Sequence, residues 1–266
     1  MHDHLRPLVA SEVMGTRSDL QLALRCSDAA AELALTHFEV GVSSTTKADG
    51  TPVTEADWAV EHLLRQILGA EAPEDALLGE ELGRLGASDR VWILDPIDGT
   101  TFFSRSDPNW RVHVALEVAG QTEVAVVTAP ALGHQWWATR GGGTFESSWP
   151  RDRSTKRLTV SHTDNLPGAL LDALDEESRK RLPSAATIAP PSPLPLVELV
   201  RGQIDGFLVE RYHLWDHAPW ILLIEEAGGR FTDRSGGRRG DQGGGLYSNA
   251  NLHARLAKAI GYPVHP

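Results

Sequence analysis

The sequence predicts a mixed α/β (α+β) protein built from stacked layers of helices and sheets. Three observations support this prediction. Near the N-terminus, apolar residues recur at three- and four-residue spacing, which is typical of amphipathic helices. Between residues 111 and 129, apolar and polar residues alternate as they do in a β-hairpin. Beyond residue 143, strand and helix patterns alternate along the chain, and such alternation favours a layered α/β unit.

The first half of the chain is predicted to begin with two helices. Residues 18–38 repeat apolar positions at helical spacing, and Ser18 can cap that helix. Residues 41–52 are small and polar and are predicted to form a mobile loop. Thr54-Glu-Ala-Asp57 has the form of a capping box, with Asp in place of Glu, and opens a second helix that runs to about residue 68. An apolar run at 77–81 ends in two acids, and strands are predicted at 91–94, 111–118, 122–129 and 135–138.

The second half follows three consecutive glycines, Gly141 to Gly143. We therefore expect an N-terminal α+β domain over residues 1–145 and a C-terminal α/β domain over residues 146–266. Four prolines between residues 190 and 195 predict a stiff, extended segment. Strands are predicted at 157–160, 204–209, 230–232 and 246–248, and helices at 168–181, 194–202, 214–227 and 250–260.

Composition argues against several classes of function. The 266 residues carry a net charge of -11, whereas a nucleic-acid partner requires a basic surface. No apolar run approaches the roughly 20 residues that span a bilayer, and the first seven residues lack the apolar core of a signal peptide. Cys26 is the single cysteine, so the chain forms no intrachain disulfide. We expect a cytoplasmic protein with neither a membrane nor a nucleic-acid partner.

The segment Asp95–Thr100 is the most informative part of the chain. An apolar strand runs directly into Asp95 and Asp98, and two carboxylates at the end of a buried strand repel each other unless a cation lies between them. Such oxygen ligands suit Mg²⁺ or Mn²⁺. Gly99 and Thr100 offer backbone N–H groups and a hydroxyl to a phosphate. The alternative is a solvated turn, since Asp and Gly favour turns, although the preceding strand is strongly apolar.

Further acidic residues lie at the edges of other apolar elements. Glu80 and Glu81 end an apolar run, Asp57 lies in the first turn of a predicted helix, and Asp216 precedes an apolar helix. Each has a structural explanation when taken alone: an exposed acidic loop for Glu80 and Glu81, a helix cap for Asp57, and an acid at the positive end of a helix for Asp216. If these segments converge at one edge of the core, their carboxylates require cations.

The order and local sequence of these segments resemble the inositol monophosphatase family of Mg²⁺-dependent phosphatases. The resemblance rests on residues 47–57, 79–81, 95–100, 215–218 and 226–229, and it extends over about residues 20–260. The stretch 129–145 is most similar to the histidinol-phosphatase branch of the family. The resemblance implies a layered αβαβα sandwich of the inositol monophosphatase and fructose-1,6-bisphosphatase type.

The resemblance also implies two or three Mg²⁺ ions in the site, with Mn²⁺ as a substitute. One ion would be held by Glu80, Asp95 and the backbone carbonyl of Ile97. A second would be held by Asp95, Asp98 and Asp216, so that Asp95 bridges the two. A third, weaker ion would lie near Glu80.

By the same resemblance, Thr100 and Asp57 form a hydrogen-bonded pair that orients the attacking water and, with Glu80, helps to deprotonate it. The N–H groups of Gly99 and Thr100 would bind phosphate oxygens. Lys47 is either a residue that helps to close the site or an ordinary surface lysine.

The implied activity is hydrolysis of a small phosphorylated metabolite, first of all histidinol phosphate or an inositol monophosphate. Two segments depart from the family pattern. Thr101-Phe102-Phe103 stands where the family commonly has an Asn before Phe, and residues 189–193 replace a glycine-containing turn. Glu210, Arg211 and Lys47 are the candidates for substrate contacts.

These departures leave two alternatives open. The first is a phosphatase of a sugar, cyclitol or nucleoside phosphate in a specialised pathway. The second is a non-catalytic binding or regulatory protein on the phosphatase scaffold. Because the family often forms homodimers, a homodimer is a further expectation.

Overall fold

A computed structural model describes residues 6–41, 43–47, 50, 52–150 and 154–263. The helices are α1 (Arg6–Val40), α2 (Glu55–Glu71), α3 (Thr100–Phe103), α4 (Glu176–Arg181), α5 (Pro195–Val200), α6 (Leu214–Glu226) and α7 (Ala250–Ile260). The strands are β1 (Ser44–Thr46), β2 (Pro52–Thr54), β3 (Ala76–Gly79), β4 (Gly83–Leu85), β5 (Arg90–Asp98), β6 (Arg111–Val118), β7 (Gln121–Ala129), β8 (His134–Thr139), β9 (Gly143–Ser148), β10 (Lys156–Leu158), β11 (Leu170–Ala173), β12 (Thr187–Ile188), β13 (Gly206–Val209), β14 (Gly229–Asp233) and β15 (Gly245–Asn249).

The strands form two large sheets and one small one. The first large sheet has eight strands in the order β10-β9-β8-β7-β6-β5-β3-β4, and β3 and β5 are its parallel pair. The second has five strands in the order β12-β11-β13-β15-β14. β1 and β2 pair separately. Because β3 and β5 are parallel, the residues that follow each strand leave the sheet at the same edge.

Helices and sheets alternate as five layers. α1 and α2 pack on one face of the eight-stranded sheet, α5 and α6 lie between the two sheets, and α4 and α7 cover the far face of the five-stranded sheet. Apolar cores fill the interfaces between these layers, with Trp92, Phe207 and Leu256 in successive cores. The layered αβαβα fold that the sequence predicts is confirmed.

The N-terminal region differs from the prediction. α1 begins at Arg6 rather than at residue 18, so Ser18 is an interior helical residue and not a cap. A serine costs only about half a kcal/mol inside a helix, so it does not end one. The predicted loop at 41–52 contains the paired strands β1 and β2; residues 42, 48, 49 and 51 lie outside the described residues. No helix that the structure describes is both long and apolar enough to cross a membrane.

The predicted helix at 168–181 is wrong. Leu170–Ala173 is a strand, and only Glu176–Arg181 is helical. Asp175 caps this short helix, because its Oδ1 accepts the Ser178 N–H at 2.7 Å. A short apolar run fits a buried strand as well as a buried helix, and its pairing with β12 and β13 decides between them here.

Other predicted elements are present. Thr54 caps α2, and its capping box with Asp57 is formed. The β6–β7 hairpin, α6 and α7 lie within a residue or two of their predicted bounds, while β5 continues through the carboxylate segment to Asp98. The predicted division at residue 145 falls inside β9, and the eight-stranded sheet continues to Leu158. The division into two domains stays a prediction.

His253 is buried where α7 packs on the five-stranded sheet. Its Nδ1 lies 2.8 Å from Ser248 Oγ and its Nε2 lies 2.6 Å from Thr232 Oγ1. Burial, with a smaller contribution from Arg230 and Arg238, lowers the pKa of His253 to about 4. An unfolded histidine titrates near about 6.5. Between these two pH values the unfolded chain therefore binds a proton that the folded chain does not.

We expect the stability advantage of the wild type over His253→Asn to be smaller at pH 5 than at pH 7. At pH 5, protonation of this histidine in the unfolded chain costs the wild type about 2 kcal/mol, a loss that asparagine cannot incur. Urea unfolding at both pH values measures the difference in unfolding free energy between the wild type and the variant, and the exposed His162→Asn is the control. A difference between wild type and H253N that does not change with pH would contradict the assignment.

Candidate metal centre

A β-bulge brings Asp95 and Asp98 to the same side of β5. In a regular strand, residues three apart point to opposite faces of the sheet. Here Asp95 pairs with His113 and Asp98 with Arg111, so three steps along β5 match two along β6. Pro96 lies inside this bulge, where a residue without an N–H is tolerated even in a central strand.

Two other elements bring acidic residues to the same place. The parallel register of β3 and β5 aligns Gly79 with Leu94, and the Glu80 N–H donates to the Leu94 carbonyl at 3.2 Å. Asp216 lies in the first turn of α6, between the two sheets. One carboxylate oxygen from each of Asp95, Asp98 and Asp216 lies within 4.8 Å of the others.

Among these acids, Asp95 has the fewest contacts that offset its negative charge. It is 1% exposed, and its Oδ1 has no hydrogen-bond partner among the described residues. Burial, together with the charges of Glu80, Asp98 and Asp216, raises the pKa of Asp95 well above its ordinary value. Burial and the Asp98 charge also raise the pKa of Asp216, although its Oδ2 accepts the His213 N–H at 2.6 Å.

Asp98 has a cationic partner that the sequence analysis missed. Arg111 Nε donates to Asp98 Oδ2 at 2.6 Å, and His113 Nε2 lies 3.4 Å from the same oxygen. Burial alone would raise the pKa of Asp98, but the Arg111 charge and hydrogen bond, with a contribution from His113, hold it below its ordinary value. Arg111 and His113 are two residues apart on β6, so their side chains lie on one face of the sheet. This spacing is the sequence feature that could have predicted a basic pair beside the acids.

Lys47 is not an ordinary surface lysine. Its side chain is 18% exposed, and its Nζ donates to Glu80 Oε1 at 2.7 Å and also to Glu81. Burial disfavours the lysine charge, but the hydrogen bonds and charges of the two glutamates raise the pKa of Lys47 above its ordinary value. Burial raises the pKa of Glu81 to about 7, against the opposing hydrogen bond from Lys47.

Asp57 is a helix cap and also a neighbour of Thr100. Its Oδ2 accepts hydrogen bonds from the Thr54 N–H at 2.8 Å and the Thr54 hydroxyl at 2.6 Å. Its Oδ1 lies 3.3 Å from Thr100 Oγ1, which also lies 3.1 Å from the Ile97 carbonyl oxygen. Burial raises the pKa of Asp57, an effect that its hydrogen bonds with Thr54 partly offset. One oxygen of the Asp57 carboxylate thus serves the helix cap and the other contacts Thr100, so both interpretations of Asp57 are compatible with the structure.

Gly99 joins β5 to α3 in a conformation that suits glycine. Its φ is +89°, and an added Cβ would lie 3.2 Å from the Asn109 carbonyl oxygen and 3.3 Å from the Phe102 ring. The turn that results places the backbone of Gly99 and Thr100 directly after the carboxylate segment.

Glu61 is a second residue that the sequence analysis missed. It is fully buried on α2, and its carboxylate accepts the N–H groups of Glu81 at 2.7 Å and Leu82 at 3.1 Å. Arg65 donates to the same carboxylate at 2.9 Å. Gly79 allows this close approach, since an added Cβ would lie 2.0 Å from Glu61 Oε1. Glu61 therefore fixes the turn that carries Glu80.

The structure does not bring Glu210 and Arg211 to the acidic cluster. The Glu210 carboxylate pairs with Arg181 and Arg234, the latter at 2.6 Å. The Arg211 side chain is 76% exposed, and the nearest carboxylate oxygen recorded for it, from Glu177, is 3.8 Å away. Both residues lie outside the lining of the cavity beside the cluster.

The residues present fit a divalent cation. Arg111 and Lys47 offset the charges of Asp98 and Glu80, but Asp95 and Asp216 have no cation of the protein against them among the ion pairs of the described residues. Carboxylate and carbonyl oxygens are the ligands that hard divalent ions take. A buried carboxylate oxygen without a partner, surrounded by other carboxylates, is the feature that such an ion would satisfy.

Comparisons with known proteins identify a family for the chain. Residues 17–262 match the model of the inositol monophosphatase family. Histidinol-phosphatase of Mycobacterium tuberculosis is 36% identical over 90% of this chain and 96% of its own length. A Streptomyces griseus protein named glucose-1-phosphate thymidylyltransferase is 40% identical over 85% of this chain and 89% of its own length. The structure of an IMPase from Thermotoga maritima matches with a TM-score of 0.76 and 25% identity, over 92% of this chain and 96% of that one.

We expect Asp95→Asn to abolish the rise in Tm that a divalent cation gives the wild type. The substitution removes a buried charge, so the metal-free variant should be at least as stable as the wild type, while its cluster has lost a ligand charge. Thermal unfolding with and without Mg²⁺ measures both effects, and the exposed Asp164→Asn is the matched control. An undiminished Mg²⁺ response in D95N would show that the cluster is not the metal centre.

Proposed function

We propose that this chain, which belongs to the inositol monophosphatase family and is a phosphoric monoester hydrolase, depends on Mg²⁺. We also propose that its substrate is a small phosphorylated metabolite. One observation carries the proposal. The buried, unpartnered carboxylate oxygen of Asp95 lies among other acids, directly before the Gly99–Thr100 turn. A cation-binding cluster and a turn with backbone N–H groups are the two parts that phosphate hydrolysis needs at one place.

Mg²⁺ would be held by the ligand sets that the family resemblance implies. Glu80, Asp95 and the Ile97 carbonyl would hold one ion; Asp95, Asp98 and Asp216 would hold another; and a weaker third ion would lie near Glu80, with Mn²⁺ as a substitute. Bound there, Mg²⁺ neutralises phosphate oxygens, lowers the pKa of water and stabilises the leaving alkoxide. Lys47 pairs with Oε1 of Glu80, so Glu80 would bind the ion through its other oxygen or exchange Lys47 for the ion.

Thr100 and Asp57 would position and deprotonate the attacking water. Asp57 Oδ1 accepts the Thr100 O–H, which leaves the lone pairs of the Thr100 oxygen directed at a water proton. Burial raises the pKa of Asp57 and so makes it a stronger base than an ordinary aspartate. Glu80 would assist, and the N–H groups of Gly99 and Thr100 would bind phosphate oxygens.

Substrate identity is a finer proposal. Similarity to a histidinol-phosphatase supports histidinol phosphate as a first candidate, and similarity to an inositol-1-monophosphatase supports an inositol monophosphate. Because Glu210 is engaged by Arg181 and Arg234, and because Arg211 is exposed, we propose no substrate contact for either residue. A sugar, cyclitol or nucleoside phosphate remains the alternative. The homodimer and the cytoplasmic location also stay predictions.

Phosphate release from a panel of phosphomonoesters tests the proposal. The panel contains histidinol phosphate, inositol 1-phosphate, fructose 1,6-bisphosphate and nucleoside phosphates, each with Mg²⁺ and with EDTA. We expect release from at least one compound, and only with Mg²⁺. Because the Streptomyces griseus relative is named for thymidylyl transfer, a parallel reaction with dTTP and glucose 1-phosphate is followed by pyrophosphate release. Mg²⁺ binding without any phosphate release would favour the non-catalytic alternative.

We expect Thr100→Val to lower kcat by about 100-fold or more, because the variant loses the hydroxyl that orients water. The Mg²⁺-induced rise in Tm should persist, since no carboxylate is removed. Thr36→Val is the matched control, because Thr36 is exposed on α1 and donates only to the Glu32 carbonyl. Wild-type kcat in T100V would refute the assigned role.

A further inference from the structure

A cavity of about 320 Å³ opens beside Asp98 and Asp216. Its walls come from α3 and the turn before it, from β6, β11 and β13, from α5 and the segment before it, and from α6. Apolar side chains form most of these walls, among them Phe102, Leu174, Leu196, Val197, Phe207 and Trp220. A substrate whose phosphate lies at the acidic cluster would extend its alcohol part into this cavity.

The segment between β12 and α5 offers this cavity almost no hydrogen-bond donors. Pro191, Pro193 and Pro195 line it and have no N–H group. The two intervening N–H groups are already engaged: that of Ser192 donates to Asp172, and that of Leu194 lies 3.1 Å from Ser192 Oγ. The Ser192 hydroxyl in turn donates to Glu198 at 2.6 Å.

Two arginines hold this proline segment in place. Arg179 donates to the Ala189 carbonyl at 2.9 Å and pairs with the buried Asp172. Arg111 donates to the Pro193 carbonyl at 3.0 Å and pairs with Asp98. Both cations that line the cavity are therefore tied to a carboxylate and to a backbone carbonyl. The wall is preorganised, and these partners engage part of each guanidinium, so fewer N–H groups remain for a polar ligand.

The two segments at which the sequence departs from the family pattern line this same cavity. The Phe102 ring packs against Gly99, next to the candidate phosphate site, and Pro191–Pro193 forms another part of the wall. Where the hydroxyls of a polyol contact these two parts of the wall, they would exchange hydrogen bonds to water for apolar contacts, which is unfavourable. A hydrocarbon ring would instead remove apolar surface from water.

We propose that the site prefers phosphomonoesters whose alcohol part is a largely apolar ring over those of a polyol. The inference rests on the proposed phosphatase activity and narrows its substrate class. Of the candidates named above, the polyol inositol 1-phosphate fits the cavity least. The preference is set by Phe102 and the proline segment, which belong to the cavity wall and not to the acidic cluster.

Cyclohexyl phosphate and inositol 1-phosphate form a matched pair for the test. Both place the phosphate on a six-membered carbocycle with an alkanol leaving group, and they differ in ring hydroxyls. With Mg²⁺ present, we expect kcat/KM for cyclohexyl phosphate to be at least about tenfold higher, mainly through a lower KM. Equal values, or a preference for inositol 1-phosphate, would overturn the inference while leaving the phosphatase activity intact. No release from either compound or from the wider panel would overturn both.

A variant and a binding measurement locate the preference in the cavity. Leu174→Asn alters a lining residue that is 44% exposed, so the fold should tolerate it, and it should lower the cyclohexyl-to-inositol ratio by about threefold or more. Leu85→Asn, at a position 58% exposed and outside the cavity lining, should leave the ratio unchanged.

By calorimetry, the wild type should bind cyclohexylphosphonate at least about tenfold more tightly than methylphosphonate. An unchanged ratio in L174N, or equal binding of the two phosphonates, would contradict the assignment.

Discussion

Electrostatic repulsion around Asp95 is the constraint on which the rest of the site depends. Its carboxylate is buried in the eight-stranded sheet, where the charges of four other acids disfavour its ionised form, and one of its oxygens has no hydrogen-bond partner among the described residues. A buried, unpaired carboxylate is unfavourable by several kcal/mol. The surrounding geometry nevertheless maintains it: the bulge at Pro96 turns Asp98 to the same side, the parallel β3–β5 pair fixes Glu80, and α6 delivers Asp216. A fold that assembles such repulsion at one point is suited to a cation and strained without one.

The two halves of the chain meet at this cluster, and Arg111 connects them. Its guanidinium contacts Asp98 on β5 and the Pro193 carbonyl in the segment before α5, so the position of a candidate metal ligand and that of the cavity wall are mechanically linked. Lys47 and Glu61 perform related roles on the other side, where one offsets the charge of Glu80 and the other fixes its turn. These contacts hold the acidic cluster and the cavity wall in a fixed relation to each other.

The sequence and the family resemblance identified the candidate metal ligands but not the residues that hold them in place. Asp95, Asp98, Glu80 and Asp216 each stand at the edge of an apolar run, and the family resemblance, rather than the pattern alone, implied that they converge. Arg111 and Glu61 act through contacts between elements distant in sequence, which local patterns do not report. The helix predicted at 168–181 failed because a short apolar run fits either structure until its strand partners are known. The prediction that Ser18 caps the first helix was wrong, because serine is only a weak helix former and no strong stop signal ends the helix there.

The central claim is that the buried acids form a metal centre, and anomalous diffraction from crystals grown with Mn²⁺ tests it most directly. The account predicts at least one strong Mn²⁺ peak bounded by Asp95, Asp98 and Asp216, with Asp95 Oδ1 as a ligand. If the ion assigned to Glu80, Asp95 and the Ile97 carbonyl is also bound, its peak lies toward Glu80. Crystals that hold Mn²⁺ elsewhere, with Asp95 contacting only protein or water, would contradict the account.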